Sequence, residues 1–359
     1  KVLGTILLLL NLISFLLYLT VKTSNTIILN DDRDDKRNEK KNKEATNEID
    51  LTDDNQSFLA IKSDKTFISH AKSSNGSAKS QCALIPEKLV GRLRIDVNST
   101  ITFEEIENET RNLNIEIGGL WSPTECIARH KVAIIIPYRN RETNLKIFLR
   151  HIHPILFRQQ INYGIFVIEP IQNISFNRGL LMNIGFIESL KLSNDKWNCF
   201  IFHDVDLIPE DDRNIYSCPE QPRHMSSAVS TFHYRLPYET IFGGVSALTK
   251  EQMKKVNGFS NMYFGWGGED DDFRARIIAS GLQVSRYPLE IGRYFMVNHP
   301  KDQNVNPERF KLLNKVKERF KIEGINSIEY KVVEVLKSNL YTKIIVSYDR
   351  NLILNKKHR

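Results

Sequence analysis

Cysteine is scarce in this chain of 359 residues, which contains Cys82, Cys126, Cys199 and Cys218 and no others. Four cysteines can form disulfides in three different pairings, and the count alone does not choose between them. The net charge is only +7, and no block of basic residues is interleaved with aromatic ones. This absence gives no support for a nucleic-acid-binding protein. An internal repeat is also absent, which argues against a repeat architecture.

Long hydrophobic runs are nearly absent from a chain that is 41% hydrophobic and 26% charged, values typical of a globular protein. The exception is residues 2–21, VLGTILLLLNLISFLLYLTV, which carry no charge and are long enough to span a bilayer as a helix. A cleaved signal peptide is the alternative, but the run is longer than a usual signal-peptide core. We therefore expect a transmembrane signal-anchor over residues 1–23, with the rest of the chain on the lumenal side of the lipid bilayer.

A polar segment of mixed charge with few aromatic residues follows this run. It cannot bury enough apolar surface to fold, so residues 24–81 are predicted to form a disordered, flexible stem. The lumenal domain is expected over 82–350, with a C-terminal tail over 351–359. Sequons for N-glycosylation are compatible with secretory passage, where disulfides are expected. They begin at Asn55, Asn75, Asn98, Asn108 and Asn173.

Strand-like and helix-like segments alternate from residue 132 onward. Buried strands are predicted at 132–137, at 163–168 and from Cys199, and helices at 143–157 and 177–192. Strand, helix, strand, helix, strand at this spacing predicts an α/β fold with a parallel sheet and right-handed crossovers. Pro209 is expected to end the regular structure, and no comparable rhythm is visible beyond it.

Charged side chains follow each of the predicted strands. Asp204 and Asp206 come after the third strand, at the usual ligand crevice of an open α/β sheet, where two oxygen donors suit Mg²⁺ or Mn²⁺. Arg139 and Arg141 follow the first strand and Arg178 the second, and guanidinium groups match phosphate oxygens. Taken alone, Asp-x-Asp is also found in solvated turns, and paired arginines lie on ordinary surfaces. Their convergence at one sheet edge favours a nucleotide diphosphate with a metal ion.

A glycine-rich loop followed by carboxylates, Gly265-Trp-Gly-Gly-Glu-Asp-Asp-Asp272, leads into a predicted helix. Carboxylates at a helix N-terminus can be ordinary capping residues stabilised by the helix dipole. Four adjacent carboxylates also repel one another, which raises the pKa of at least one of them. Such a group is a candidate general base for a substrate hydroxyl, beside a tryptophan able to stack on a sugar. An EF-hand is excluded because its ligand spacing and late glutamate are absent.

Five motifs, in order, resemble those of the β-1,4-galactosyltransferase family, glycosyltransferase family 7. They are PYRNR at 137–141, FNR at 176–178, DVDLIP at 204–209, FGGVSAL at 242–248 and GWGGEDDD at 265–272. The resemblance extends from about Cys82 to Tyr348 and implies a glycosyltransferase-A fold, with a Rossmann-like nucleotide half and an acceptor half, so that 82–350 would be catalytic. It also implies Mn²⁺-dependent, inverting transfer from a UDP-sugar to terminal N-acetylglucosamine (GlcNAc). With the anchor, this indicates a single-pass type II protein of the Golgi membrane.

The same resemblance assigns roles to individual residues. UDP would be held by Pro137, Tyr138, Arg139, Arg141, Phe176, Arg178, Asp204, Val205, Asp206 and Trp266. The metal ion, Mn²⁺ or alternatively Mg²⁺, would be held by Asp206, Met296 and His299. Asp270 would be the catalytic base, with Glu269 and Trp266 beside the acceptor. The acceptor would contact Tyr238, Gly268, Glu269, Asp270, Asp271, Arg309, Phe310 and Leu313.

The donor sugar depends on a single position. Ile241 stands where galactose-transferring members carry a tyrosine that crowds the 2-position of the donor. Isoleucine leaves room for an acetamido methyl group, so the chain resembles the β-1,4-N-acetylgalactosaminyltransferase members, which transfer N-acetylgalactosamine (GalNAc). Transfer from UDP-GalNAc to GlcNAc-terminated glycans of glycoproteins or glycolipids is expected, with galactose transfer from UDP-Gal as the alternative. Ile241 could instead simply pack beneath Phe242.

An inactive sugar-binding relative and a hydrolase are the competing classes of protein. An inactive relative should have lost Asp206, His299 or Asp270, and all three are present. Nothing in the sequence separates the acid and the nucleophile that a hydrolase needs. We also predict disulfides between Cys82 and Cys126 and between Cys199 and Cys218, each of which closes a loop within the lumenal part.

Overall fold

A computed structural model describes residues 79–194, 196–298 and 305–355. All of these residues belong to one compact unit, Asn75–Arg359. The predicted signal-anchor and all but the last residues of the predicted stem lie outside the described part of the chain. Within that part, no helix is both long and apolar enough to cross a bilayer.

Strands and helices alternate through the first half of the domain, and short strands dominate the second. The helices are α1 (Phe103–Glu109), α2 (Glu142–Arg158), α3 (Arg178–Leu192), α4 (Lys250–Lys255), α5 (Glu269–Ala279), α6 (Arg309–Leu313), α7 (Val316–Arg319) and α8 (Arg350–Asn355). The strands are β1 (Leu120–Trp121), β2 (Lys131–Pro137), β3 (Asn162–Pro170), β4 (Cys199–His203), β5 (Leu207–Pro209), β6 (Arg223–His224), β7 (Ala228–Val229), β8 (Val245–Thr249), β9 (Ser285–Arg286), β10 (Arg293–Met296), β11 (Lys331–Lys337) and β12 (Thr342–Ser347). In the described residues they form a 9-stranded sheet, β11-β12-β3-β2-β4-β8-β6-β9 with β1 on β3, and a 3-stranded sheet, β5-β10-β7.

The predicted parallel core is confirmed. Strand β2 pairs in parallel with β3 on one side and with β4 on the other. Successive residues of β2 enter opposite apolar clusters because side chains alternate across a strand. Ile134 and Ile136 pack in the cluster that contains α2 residues, and Ala133 and Ile135 pack in the cluster that contains α3 residues. The sheet therefore has a core on each face, as the continuous apolar runs indicated.

Helix α3 lies unusually close to the sheet. A Cβ atom at Gly185 would fall 2.2 Å from Cγ2 of Ile135 on β2, so only glycine permits this approach. The helix begins after Asn177, whose side chain accepts a hydrogen bond from the amide of Leu180 at 2.9 Å. Cap and close contact together fix the position of the first helical residue, Arg178.

The second half of the domain contains more regular structure than the sequence analysis predicted. Pro209 does not end it, because Leu207–Pro209 forms β5 and pairs antiparallel with β10. Strand β12 comes from near the end of the chain and pairs in parallel with β3. The predicted tail is also partly structured, since α8 occupies Arg350–Asn355 and Ile353 is buried in the core.

Both predicted disulfides are confirmed. Cys82 is bonded to Cys126, 44 residues away, and Cys199 is bonded to Cys218, 19 residues away. The second bridge joins the start of β4 to the segment before β6. The first ties the beginning of the described domain to the segment that leads into β2. Each closed loop restricts the unfolded chain and so stabilises the folded one.

A buried ion network anchors α5. Asp272 and Arg276 are completely buried, and Nε of Arg276 donates to Oδ1 of Asp272 at 2.6 Å. Arg319 of α7 also pairs with Asp272, and Glu323 pairs with both arginines. The hydroxyl of Tyr263 adds a bond of 3.0 Å to Asp272. Breaking a buried, paired charge is costly because its partners remain in an apolar environment.

We expect Asp272→Asn to lower the free energy of unfolding by about 3 kcal/mol, because two buried guanidinium groups would share less negative charge. Equilibrium unfolding in urea measures the change. Glu308→Gln is the control, since its partner Lys311 and Glu308 itself are both exposed and such pairs contribute little. Equal midpoints for the two variants would contradict a stabilising role of the network.

Candidate functional site

The predicted nucleotide-binding residues lie at one edge of the main sheet. Pro137 ends β2, and Asp204, Val205 and Asp206 directly follow β4, its parallel neighbour. Tyr138 is buried, and its backbone amide donates to the carbonyl of Ile168 on β3. Strand ends that the sequence analysis expected to converge are therefore adjacent in the structure.

Arg139 and Phe176 form a cationic and aromatic pair at this edge. The guanidinium carbon of Arg139 lies 5.2 Å from the centre of the Phe176 ring, and Nη2 donates to the carbonyl of Ile174 at 2.7 Å. Nε of Arg139 is buried and has no hydrogen-bond partner among the described residues. Because a buried donor without a partner is unfavourable, this nitrogen is suited to a ligand oxygen. Arg141 lies just beyond, at the N-cap position of α2.

Arg178 joins two carboxylates from distant parts of the chain. Its Nε donates to Oδ1 of Asp204 at 2.6 Å, and its Nη1 lies 3.5 Å from Oε1 of Glu269 on α5. Burial raises the pKa of Glu269 to about 7, the charge of Asp270 adds to that rise, and Arg178 opposes it. Burial likewise raises the pKa of Asp204, with Arg178 opposing and Asp206 contributing. The ion pair therefore holds together groups that would otherwise repel.

Asp270 lies against the backbone of the 238–244 loop. A Cβ atom at Gly243 would be 2.5 Å from Oδ2 of Asp270, so the carboxylate rests directly on the glycine. The next residue, Asp271, accepts a hydrogen bond of 3.1 Å from the hydroxyl of Tyr238, at the start of the same loop. Helix α5 thus presents two carboxylates to one loop, from its first turn.

An exposed aromatic surface beside α5 includes two of the predicted acceptor residues, Arg309 and Phe310, together with Trp266. Trp266 and Phe310 are exposed by 61% and 66%, and the guanidinium carbon of Arg309 lies 5.7 Å and 4.7 Å from their rings. The carbonyl of Trp266 accepts from the amide of Asn306 at 3.0 Å, which holds the glycine loop against the start of α6. Leu313, at the end of α6, is half-buried. Exposed aromatic faces of this kind are suited to stacking on a sugar.

Two of the three predicted metal ligands lie at the paired ends of β5 and β10, with Asp206 just before β5 and Met296 at the end of β10. The amide of Val297 donates to the carbonyl of Asp206 at 2.8 Å, and Met296 pairs with Leu207. The hydroxyl of Thr231 donates to the sulfur of Met296 at 3.4 Å. His299 lies outside the described residues. Within those residues no three histidine, cysteine, aspartate or glutamate side chains are placed to hold a metal, whereas the predicted set includes a methionine.

Ile241 belongs to the 238–244 loop and is only partly buried. Phe242, the next residue, is 2% exposed and packs against Phe273 of α5. In the described part of the chain, Ile241 is outside both clusters of packed apolar side chains. Its side chain therefore has no evident role in the core, which weakens the simple packing alternative.

Three residues that contact the loop were missed by the sequence analysis. Arg286 of β9 donates to loop carbonyls, and His224 and Ser226 both bond to the carbonyl of Gly243. Their partners are backbone oxygens, which leave no pattern in the sequence. The nearby motif FGGVSAL pointed to the loop but not to what holds it.

Two family models match the chain over consecutive regions. The N-terminal region of glycosyl transferase group 7 matches residues 82–219, and the model described as the N-terminal domain of galactosyltransferase matches residues 223–300. β-1,4-galactosyltransferase 1 of Mus musculus is 48% identical over 260 residues, which is 72% of this chain and 64% of that protein. β-1,4-galactosyltransferase 2 of Homo sapiens is 45% identical over 267 residues, 74% of this chain and 71% of that protein.

The chain belongs to the β-1,4-galactosyltransferase family of glycosyltransferases. Its fold is also similar to the crystal structure of the catalytic domain of Drosophila β1,4galactosyltransferase 7 in complex with xylobiose. The TM-score is 0.54 at 28% identity, covering 61% of this chain and 94% of that chain. A mutant of that Drosophila enzyme, in complex with manganese, UDP-Gal and xylobiose, matches equally well. The expected glycosyltransferase-A type of α/β fold is thereby confirmed.

Glu269→Gln should stabilise the metal-free protein, and more so at pH 8 than at pH 5. The pKa of Glu269 is higher in the folded chain than in the unfolded one, so the folded state binds more protons and the wild type loses stability as pH rises through this window. The difference should reach on the order of 1–3 kcal/mol at pH 8. Thermal unfolding in EDTA between pH 5 and 8 measures it. A difference that does not change with pH would contradict the raised pKa.

Proposed function

We propose that this glycosyltransferase moves GalNAc from UDP-GalNAc to the 4-hydroxyl of a terminal β-linked GlcNAc, making GalNAcβ1-4GlcNAc. The observation that carries the donor assignment is Ile241, a partly exposed aliphatic side chain on the loop that supports Asp270. Galactose transfer is the second candidate, because the curated relatives are named β-1,4-galactosyltransferases. The acceptor would be a glycan on a glycoprotein or glycolipid.

The donor would be bound at the sheet edge formed by the ends of β2, β3 and β4. Arg139 offers a buried donor nitrogen to an anionic ligand, and Phe176 beside it offers an aromatic face. Asp206, Met296 and His299 would hold Mn²⁺, for which one carboxylate and an imidazole are suitable ligands and a thioether is an unusual one. When bound, the ion would neutralise charge on the diphosphate of the departing UDP.

Asp270 would act as the base, accepting the proton of the acceptor 4-hydroxyl as its oxygen bonds to the anomeric carbon. Attack from the face opposite UDP inverts the configuration at that carbon. Glu269 is less suited to the role because it is paired with Arg178. The exposed Trp266 and Phe310 would bind the acceptor, and Tyr238 and Asp271, which are hydrogen-bonded to each other, would contact it as well.

The cellular setting of the proposal is the Golgi membrane. The apolar run at 2–21 would anchor the chain, and the domain that contains both disulfides would lie in the lumen. An oxidising lumen is where such bridges persist.

Asp270→Asn should lower kcat by about 10²- to 10⁴-fold, because an amide cannot accept the proton. Binding of UDP with Mn²⁺, measured by calorimetry, should be unchanged, since the proposed UDP-binding residues are elsewhere. Asp271→Asn is the matched comparison and should mainly raise KM for the acceptor. Near-normal turnover of the Asp270 variant would place the base elsewhere in the cluster.

The donor assignment predicts that the wild type prefers UDP-GalNAc to UDP-Gal on a terminal GlcNAc acceptor. Ile241→Tyr should shift the ratio of kcat/KM values towards UDP-Gal by about 10- to 100-fold, because a bulkier side chain fills the space of the acetamido group. Ile241→Leu, which keeps the aliphatic character, should retain the preference. A wild type that prefers UDP-Gal would overturn the donor assignment and leave the transfer reaction intact.

A further inference from the structure

The 238–244 loop contains little regular structure, yet its backbone carbonyls have specific donors. Nη2 of Arg286 donates to the carbonyl of Glu239 at 2.9 Å and to that of Ile241 at 2.7 Å. The arginine comes from β9, which pairs with β6 and not with the loop itself. One guanidinium thus holds the backbone on both sides of Thr240.

The same guanidinium reaches a third carbonyl through His224. Nε of Arg286 lies 3.0 Å from Nδ1 of His224, and Nε2 of His224 lies 2.9 Å from the carbonyl of Gly243. A guanidinium can only donate, so Nδ1 must accept and Nε2 must carry the proton that it donates to Gly243. Burial, together with the charge of Arg286, lowers the pKa of His224 to about 3. The ring is therefore neutral and keeps this tautomer at physiological pH.

The third carbonyl belongs to Gly243, the residue that the carboxylate of Asp270 contacts. Ser226 also donates to the carbonyl of Gly243, at 3.1 Å, and accepts from the amide of Val245 at 2.8 Å. Because Oδ2 of Asp270 rests on the α-carbon of Gly243, a shift of this glycine would shift the space available to the carboxylate. The side chain of Ile241 projects from the same stretch of fixed backbone.

We propose that Arg286 is a positioning residue that sets both the place of Asp270 and, through Ile241, the donor preference. It does so by fixing the backbone carbonyls of Glu239, Ile241 and Gly243. The proposal rests on the proposed function for the roles of those two residues. Arg286 contacts neither substrate in this assignment. Its effect is transmitted through main-chain oxygens at 239 and 241 and through the His224 ring to 243.

Arg286→Ala should free the loop and lower kcat by about 10- to 100-fold for either donor, because displacement of a catalytic group by about 1 Å has effects of that size. The ratio of kcat/KM for UDP-GalNAc to that for UDP-Gal should move towards one. Affinity for UDP with Mn²⁺ should be unchanged. Arg286→Lys should recover part of the turnover, because an ammonium can reach one carbonyl but cannot bond to two carbonyls and to His224 together. It also serves as the test if the alanine variant does not fold.

Arg223→Ala is the matched control. Arg223 precedes His224 on the same strand, but its Nη1 donates to the hydroxyl of Tyr287 at 2.9 Å and its guanidinium covers that ring. Loss of this side chain should leave kcat and the donor ratio at wild-type values.

Amide hydrogen exchange of the peptide 238–245 in the full chain gives a readout that does not depend on turnover. Exchange should rise in Arg286→Ala and stay at the wild-type rate in Arg223→Ala. Unchanged exchange in the arginine-286 variant, or raised exchange with unchanged turnover and donor ratio, overturns the proposal. If the wild type prefers UDP-Gal, or turns over neither donor, the proposed function fails separately, and the exchange comparison still decides whether Arg286 fixes the loop.

Discussion

The ion pairs of Arg178 are the interaction on which the geometry of the site depends. Asp204 follows β4, Glu269 begins α5, and the two carboxylates are brought to the same guanidinium from positions 65 residues apart in the sequence. Asp206 and Asp270 lie beside them in sequence and add negative charge. Without a cation between the two groups, their repulsion would favour separation of α5 from the sheet. The position of Arg178 is in turn set by the cap at Asn177 and the close contact at Gly185.

Such a concentration of carboxylates lowers the stability of the fold, and the neighbouring structure offsets this. The same helix that carries Glu269 and Asp270 also carries Asp272 and Arg276, which are fully buried in the network with Arg319 and Glu323. The first turn of α5 therefore combines Glu269, whose pKa is raised by burial, with Asp272, which is paired in the interior. Proteins commonly accept local instability at sites where charged groups are needed for function. Neighbouring residues of α5 thus serve either the functional site or the stability of the fold.

The first half of the fold could be predicted because its strands are continuous apolar runs and its helices carry apolar residues at helical spacing. Residues 132–137 and 163–168 gave clear apolar runs, and both are parallel strands in the structure. The second half could not be predicted in this way, since β6, β7 and β9 have 2 residues each and are too short for any periodicity. Strand β12 pairs with β3 although the paired residues, such as Thr342 and Phe166, are 176 positions apart in the sequence. Such pairing depends on tertiary contacts, which local patterns do not encode.

The residues of the site likewise fall into those that the sequence could place and those that it could not. Arg139, Arg178 and Asp204 could be placed by the rule that parallel strand ends share one edge, and Glu269 and Asp270 were identified as a carboxylate cluster beside a glycine loop. The supports of the 238–244 loop could not be placed, because Arg286 and His224 bond to main-chain oxygens. The bonding of these side chains to main-chain oxygens bears on the proposed donor specificity. Since the bonds to 239, 241 and 243 do not involve loop side chains, the residue at 241 can differ in size without loss of any of these hydrogen bonds. Under the proposed function, donor preference could therefore change at position 241 while the contact between Gly243 and Asp270 is preserved.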